Sequence, residues 1–203
     1  MNETKLYHAI TEHLLQDEAP SHYLTNISEE TVFQVPPFTM LYQLKKTEQS
    51  ARFHPEGSVW NHTMLVVDEA AKVKNESNNA HIFMWAALLH DIGKPSTTKN
   101  KNGKITSYDH DKVGEKLARN FLASFTTDTD FINATAALIR WHMQLLFVVN
   151  DLPFADIEAM KRQTDVHEIA LLGLCDRMGR LHADRSEEET NRNRFLQKCN
   201  KEP

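Results

Sequence analysis

Residues 81–89 are the most apolar stretch of this 203-residue chain, and they limit how the rest of it can fold. The surrounding segment reads HIFMWAALLHDIGKP and is apolar on nearly all sides until His90. A helix of this kind must be enclosed by other elements, because no face of it is suited to water. Gly93 and Pro95 predict its end, since a glycine cap and a following proline commonly terminate helices. The segment therefore predicts a central, buried helix.

The adjacent residues His90 and Asp91 stand in the last turn of this predicted helix. A carboxylate there opposes the helix dipole and loses hydration on burial, so it needs a compensating cation. An imidazole nitrogen beside a carboxylate oxygen can hold a divalent ion and leave coordination positions open. The pair favours a metal site, and a salt bridge between Asp91 and Lys94 is the alternative.

Helical periodicity through most of the chain predicts an all-α fold, a multi-helix bundle in one domain over residues 1–203. The dipeptide Asn102-Gly103 predicts a small hairpin after the His-Asp pair. The predicted helices cover residues 3–17, a short segment with Met40, Leu41 and Leu44, segments capped by Ser58 and by Asp109, residues 128–147, residues 165–184, and a last helix opened by a capping box at residues 186–189.

Four further side chains of metal-ligand type lie on apolar faces or at ends of these predicted helices. They are His62, His110, His142 and Asp176. Each histidine taken alone is more often structural than functional, but a buried aspartate on the Asp176 face demands a strong partner. His62, His90, Asp91 and Asp176 suffice for one ion, and His110 with His142 can complete a second. We expect the Asp91 carboxylate to bridge the two ions or to be a ligand that they share.

Composition and charge narrow the classes of partner. The net charge of −5 and the pI near 6.1 argue against binding to extended duplex nucleic acid, and favour a small phosphorylated or nucleotide substrate. The N-terminus lacks the apolar core of a signal peptide, and no apolar run approaches the length of a membrane span. Two cysteines without metal-type spacing indicate a reducing, cytoplasmic compartment. Oligomeric state is not readable from these features.

The order His62, His90-Asp91 and Asp176 resembles that of the HD superfamily of metal-dependent phosphohydrolases, and HDIGKP is close to the core motif of that family. The segments RFHPEGSVWNHTMLVVDEA and CDRMGR resemble the HD domain of bacterial CCA-adding tRNA nucleotidyltransferases. The similarity covers roughly residues 36–182, with helical extensions on both sides. No strand-rich segment with paired catalytic carboxylates precedes it, so we expect a free-standing HD domain.

The resemblance implies an all-α HD fold in which the four residues of the family order are metal ligands. His110 and His142 match the extra histidines of binuclear members, which implies two ions. Arg177 and Arg180 fall in a segment that lies near the substrate in the family, although each could instead form an internal ion pair. Glu56 or His54 would line the pocket, or serve the structure of its loop.

These features predict hydrolysis of a phosphate monoester or diester on a nucleotide-like substrate. Asp91 would be the catalytic metal ligand, and Lys94 would contact phosphate, one turn beyond it. Iron, manganese, nickel, cobalt and zinc all suit such ligands, and the sequence does not choose among them. The alternatives are a di-iron oxygenase, since some HD-fold proteins share this ligand order, and a regulatory nucleotide-binding module without catalysis.

Overall fold

A computed structural model describes residues 1–200, and helix α5 (Ala80–Leu89) lies at its centre. Every residue from Phe83 to Leu89 is buried, as the apolar sequence predicts. The side chain of Asn79 caps the start of the helix by accepting hydrogen bonds from the amides of His81 and Ile82. Helices α1, α4, α8 and α11, whose bounds follow, pack around it. The prediction of a central helix is confirmed.

The regular elements of the described residues are helices and one antiparallel hairpin, which confirms the all-α class and the predicted hairpin. The α-helices are α1 Glu3–Gln16, α2 Ser21–Ile27, α3 Thr39–Tyr42, α4 Val59–Val73, α5 Ala80–Leu89, α6 Lys94–Thr97, α7 His110–Ala123, α8 Thr129–Trp141, α9 Gln144–Val149, α10 Ile157–Lys161, α11 Val166–Met178 and α12 Arg185–Cys199. Short 3-10 helices cover Thr31–Gln34, Gln43–Lys46 and Lys74–Glu76, and the strands are β1 Lys99–Lys101 and β2 Lys104–Thr106.

The N-terminal helix α1 covers one side of α5. Its apolar stripe of Leu6, Ile10 and Leu14 is buried, as the spacing of these residues predicts. The Thr11 hydroxyl accepts a hydrogen bond of 3.2 Å from the indole of Trp85 on α5. Apolar burial and one buried polar contact therefore join the two helices.

The predicted helix over residues 128–147 is wrong in one respect, because the structure interrupts it. Helix α8 ends at Trp141 and α9 begins at Gln144, so His142 lies at a helix end and not in mid-helix. The Gln144 side chain is buried, accepting from the Asp156 amide and donating to the Phe154 carbonyl. The Gln144 side chain thus bonds to the segment that follows α9, while the His142 ring bonds to the Ile139 carbonyl at the end of α8, and both contacts accompany the interruption of the helix.

Three other predicted helix ends are also corrected. The last helix begins at Arg185, where Asp184 accepts from the Glu187 amide at 3.0 Å and replaces the predicted capping box at residue 186. Asp109 holds the N-cap position of α7, but its φ of 60° turns its carboxylate to Lys112 and away from the helix amides. The helix predicted over residues 165–184 stops at Met178.

Residues 129–149 form a stretch long and apolar enough to cross a membrane by length and composition, which the sequence analysis overlooked. In the fold, 61 % of its most apolar window is buried inside the protein. Packing against neighbouring helices therefore accounts for its apolar composition.

Gly93 permits a close approach between the end of α5 and the start of α7. Its φ of −80° differs from the left-handed conformation that is usual for a glycine cap of the kind predicted from sequence. A Cβ atom at this position would lie 2.1 Å from the His110 carbonyl oxygen and 2.7 Å from the Gly114 amide nitrogen. Both obstacles are backbone atoms, so no rotamer change relieves the clash. Gly93 therefore sets the distance between His90-Asp91 and His110.

We predict that Gly93→Ala lowers the free energy of unfolding by about 3 kcal/mol or more, the upper range for overpacking a close contact. Gly103→Ala is the matched control, because a Cβ there meets no atom within 4 Å and only the φ of 78° is unfavourable. That variant should lose about 1 kcal/mol. Urea denaturation of both variants measures the difference, and equal losses would contradict the packing argument.

Candidate metal centre

The six predicted ligands converge on one buried cluster, although they come from five helices or helix ends. His62 lies on α4, the His90-Asp91 pair follows α5, His110 begins α7, His142 follows α8, and Asp176 lies on α11. The imidazole rings of His62, His90, His142 and His110 form a continuous series, with successive centroids 5.5, 5.4 and 5.1 Å apart.

Asp91 lies between two groups of histidines and presents one carboxylate oxygen to each. Its Oδ2 is 3.2 Å from His90 Nε2, and its Oδ1 is 3.4 Å from His110 Nε2 and 4.0 Å from His142 Nε2. Donor atoms bound to one ion at about 2.1 Å lie about 3 Å apart, so these separations approach those of a shared coordination sphere. The geometry makes Asp91 the residue common to both groups.

Three of the histidines donate their Nδ1–H to a backbone carbonyl three residues earlier. The pairs are His90 with Ala87 at 2.8 Å, His110 with Ser107 at 2.7 Å, and His142 with Ile139 at 2.6 Å. Carbonyls only accept, so Nδ1 carries a proton in each ring, and Nε2 is the nitrogen left for a metal. These Nε2 atoms face the Asp91 carboxylate, as metal-binding imidazoles require.

His62 is oriented by a carboxylate in place of a carbonyl. Glu56 Oε1 accepts from His62 Nδ1 at 2.9 Å and from His54 Nδ1 at 2.8 Å, while His62 Nε2 lies 2.9 Å from Asp176 Oδ1. Only 2 % of the Glu56 side chain is exposed, and its Oε2 meets the Leu181 amide. The glutamate predicted to contact substrate is thus engaged in holding the ring of His62.

The cluster contains polar atoms that fit a bound cation. His90 Nε2 and Asp91 Oδ1 are buried without a hydrogen-bonding partner, and Asp91 Oδ2 makes no hydrogen bond beyond its ion pair with Lys94. The Nε2 atoms of His110 and His142 are 3.2 Å apart, although both rings carry their proton on Nδ1. Lone pairs facing one another at that distance repel unless a cation or a proton lies between them. The residues present therefore fit a divalent metal.

The titration behaviour of the cluster suits metal binding at neutral pH. Burial, reinforced by the nearby His110 and His90 charges, lowers the pKa of His142 to about 4. Burial also lowers the pKa of His110. Burial alone would raise the pKa of Asp91, but the charges of His90 and Lys94 hold it well below its ordinary range. At neutral pH the site therefore offers the neutral imidazoles of His110 and His142 and the ionised carboxylate of Asp91.

Of the predicted substrate contacts, Lys94 and Arg180 lie near the cluster. Lys94 Nζ is 2.7 Å from Asp91 Oδ2, so the salt bridge proposed as the alternative to a metal does form. Burial alone would raise the pKa of Asp176, but the His62 hydrogen bond and then the Arg180 charge hold it well below its ordinary range. The Arg180 Nε is itself buried without a partner. Arg177 instead forms an ion pair with Glu188 on α12.

Gln49 is a residue of the site that the sequence analysis missed. Its Oε1 accepts a hydrogen bond of 2.7 Å from Lys94 Nζ. It lies in the loop between the 3-10 helix Gln43–Lys46 and α4. The same loop carries His54 and Glu56. No residue type or spacing in that loop distinguishes Gln49, so only the three-dimensional contact identifies it.

Comparison with known proteins places this cluster in a family context. A profile of the HD domain family matches residues 59–193, about two thirds of the chain. The multifunctional CCA protein of Actinobacillus pleuropneumoniae serotype 5b is 31% identical over 107 residues, which are 53% of this chain and 25% of that protein. The same-named protein of Mannheimia succiniciproducens is 24% identical over 177 residues, 84% of this chain and 42% of its own length.

A third relative, the A-adding tRNA nucleotidyltransferase of Deinococcus radiodurans, is 30% identical over 102 residues, 47% of this chain and 22% of that protein. The chain therefore spans less than half the length of these curated relatives. The predicted resemblance to the HD region of CCA-adding tRNA nucleotidyltransferases is confirmed at modest identity.

We predict that the metal-free protein loses stability as pH falls from about 6.5 to about 4. The pKa values of His54 and His142 are both lowered to about 4. For His54 the chief cause is burial, followed by the Lys94 charge. The unfolded chain protonates both imidazoles near pH 6.5, so it binds more protons than the folded chain within this window.

His62 opposes the trend, because the hydrogen bonds of Asp176 and Glu56 outweigh its burial and raise its pKa. The pKa of this one histidine is raised, whereas the pKa values of His54, His110 and His142 are lowered. The three lowered values outweigh the raised one, so the free energy of unfolding should fall by a few kcal/mol between about pH 6.5 and about pH 4. Urea denaturation of the metal-free protein at a series of pH values measures this. A flat or rising profile toward pH 4 would contradict it.

We also predict that Glu56→Gln weakens divalent-metal binding by about 10- to 100-fold, the usual effect of removing the group that orients a ligating histidine. Glu168→Gln is the matched control, since Glu168 accepts from the Ser77 hydroxyl at 2.7 Å and the Asn78 amide at 2.8 Å at the start of α11. Competition with a metal-sensitive chelator gives both affinities. Equal affinities in the two variants would refute this role of Glu56.

Proposed function

This chain belongs to the HD domain family, and we propose that it is a phosphohydrolase that uses two divalent metal ions to hydrolyse a phosphate ester on a nucleotide-like substrate. The observation that carries the proposal is the position of Asp91. Its Oδ2 faces the Nε2 atom of His90 and its Oδ1 faces the Nε2 atoms of His110 and His142, which is the arrangement expected of a carboxylate shared by two ions.

The six residues of the cluster would be divided between the two ions. His62, His90 and Asp176 would hold one ion, His110 and His142 the second, and Asp91 both. When bound, divalent ions make a water nucleophilic near neutral pH and offset charge on phosphoryl oxygens. Carboxylate and imidazole ligands suit manganese, iron, nickel, cobalt or zinc.

Lys94 and Arg180 supply the positive charge that a phosphate ester requires. The Lys94 ammonium is largely buried beside Asp91, and Arg180 has a buried Nε that no protein group accepts from. An unpaired buried donor is unfavourable, so a ligand oxygen at that position would relieve its cost. Both side chains would orient the phosphoryl group, and neither needs to change protonation state.

The relatives support the nucleotide part of the proposal. Their names identify proteins that process tRNA, as multifunctional CCA proteins and an A-adding tRNA nucleotidyltransferase. The net charge of −5 favours a small substrate or a strand end over a long duplex. We therefore propose a nucleotide or a nucleic-acid end as the substrate.

Oxygenation at a di-iron centre is the second candidate, and one observation favours it. All six residues of the order His, His-Asp, His, His and Asp are present and converge, which is the complete ligand set expected of that class too. The relatives, one of which is named as a tRNA nucleotidyltransferase, favour chemistry at a phosphate ester over oxygenation. Oxygen consumption by iron-loaded protein, measured across the same substrates, separates the two functions.

We predict that Asp91→Asn reduces phosphate-ester hydrolysis by on the order of a thousandfold or more, because a shared ligand of both ions is lost. The assay uses protein loaded in turn with manganese, nickel, cobalt, zinc and, anaerobically, iron. The substrates are nucleoside monophosphates, cyclic nucleotides, dinucleotides and bis(p-nitrophenyl) phosphate, and elemental analysis gives the ions per chain.

Asp68→Asn is the control, since Asp68 is a carboxylate on α4 that hydrogen-bonds to the Ser21 amide at 3.0 Å and its hydroxyl at 2.6 Å. Circular dichroism should show the same helix content for both variants. An Asp91→Asn protein with full activity would end the proposed mechanism. A single ion per chain would reduce the site to His62, His90, Asp91 and Asp176.

A further inference from the structure

The Gln49 side chain has one group engaged at the metal centre and another without a partner. Lys94 Nζ donates a hydrogen bond of 2.7 Å to Gln49 Oε1 and forms an ion pair with Asp91 Oδ2, also at 2.7 Å. An ammonium can only donate, so the amide must turn its oxygen toward Lys94. The Gln49 Nε2 is consequently on the opposite side of the amide, buried and without an acceptor.

The loop that carries Gln49 is held firmly at its base. The Val59 amide, at the start of α4, donates to the Thr47 carbonyl at 3.0 Å, and the Thr47 hydroxyl donates to the Gln43 carbonyl at 2.9 Å. The 3-10 helix Gln43–Lys46 also packs against α6, which begins at Lys94. Gln49 and Lys94 are therefore positioned by contacts that do not involve one another.

Gln49 differs from Asp91 as a partner for Lys94, because an amide carries no charge. The Asp91 carboxylate neutralises the ammonium and also faces three histidine nitrogens. Once its oxygens serve as metal ligands, their interaction with Lys94 weakens. The Gln49 oxygen then fixes the ammonium in place without cancelling its charge, which stays available to an anionic ligand.

We propose that Gln49 is a positioning residue for the phosphoryl group of the substrate. It holds Lys94 at the centre through Oε1, and it offers its unpartnered Nε2–H to a phosphoryl oxygen beside the ammonium. This inference rests on the proposed hydrolysis of a phosphate ester and adds a substrate-orienting residue to it. A carboxylate at position 49 would defeat both purposes, since it would neutralise Lys94 and repel phosphate.

The first test observes the Lys94 ammonium itself, by proton–nitrogen NMR of lysine side chains in the metal-free protein. A buried ammonium held by a hydrogen bond and an ion pair exchanges its protons slowly. Gln49→Met should accelerate that exchange by about tenfold, as expected from losing a hydrogen bond to a charged group. The Lys74 ammonium, which donates to the Asp17 carbonyl at 3.0 Å, is the internal control and should not change. Unchanged exchange at Lys94 would overturn the inference.

The second test separates KM from kcat for the most active phosphate ester. Gln49→Met and Lys94→Met should each raise KM about tenfold. The double variant should raise KM by less than the product of the two single effects, because part of the effect of Gln49 passes through Lys94. Gln49→Glu should raise KM further than Gln49→Met. Fully multiplicative effects in the double variant, or a glutamate that restores KM, would overturn the inference.

These readouts distinguish failure of the inference from failure of the proposed function. An altered Lys94 signal in Gln49→Met, together with no hydrolysis by the unmodified protein under any metal, would count against the hydrolase and leave the Lys94 contact established. Normal hydrolysis with unchanged Lys94 exchange and unchanged KM in Gln49→Met would count against Gln49 alone.

Discussion

The structure depends on one buried carboxylate, that of Asp91. The protein groups around it do not provide hydrogen bonds to both of its oxygens. It is 1 % exposed and closes the most apolar helix of the chain, where both the helix dipole and the loss of water disfavour a negative charge. The surrounding helices bring the Nε2 atoms of three histidines and one ammonium to this carboxylate. A packing arrangement that placed Asp91 anywhere else would leave these groups without a common partner.

Helix termini explain how the histidines are held in the tautomer that metal binding needs. The last carbonyls of a helix have no amide partner within it, so they are free to accept from side chains. His90 and His142 each follow the end of a helix and donate Nδ1–H to a carbonyl three residues earlier. The interruption between α8 and α9 is therefore part of the site, because it places His142 at a helix end. His110, the first residue of α7, is held in the same tautomer by its hydrogen bond to the Ser107 carbonyl.

Much of this arrangement could be predicted from sequence, and the remainder could not for identifiable reasons. The apolar segment over residues 81–89 indicated the central helix, and ligand-type residues on apolar faces indicated His62 and Asp176 as buried. Periodicity could not reveal the break at His142, because the residues on both sides remain apolar and helix-forming. Gly93 has the sequence pattern of a helix cap, but glycine is required there for another reason. A Cβ at this position would lie 2.1 Å from the backbone of α7. Gln49 and the engagement of Arg177 by Glu188 depend on contacts distant in sequence.

The salt bridge between Lys94 and Asp91 forms, and yet it does not replace a metal. One ammonium contacts only Oδ2, at 2.7 Å, and it leaves Oδ1 facing the Nε2 atoms of His110 and His142. Those rings cannot donate to Oδ1, because their protons are committed to the carbonyls of Ser107 and Ile139. Protonating the rings a second time is opposed by burial, which lowers the pKa of both. A cation other than a proton is the partner that satisfies Oδ1 and both nitrogens together, so the ion pair and the metal site are complementary parts of one centre.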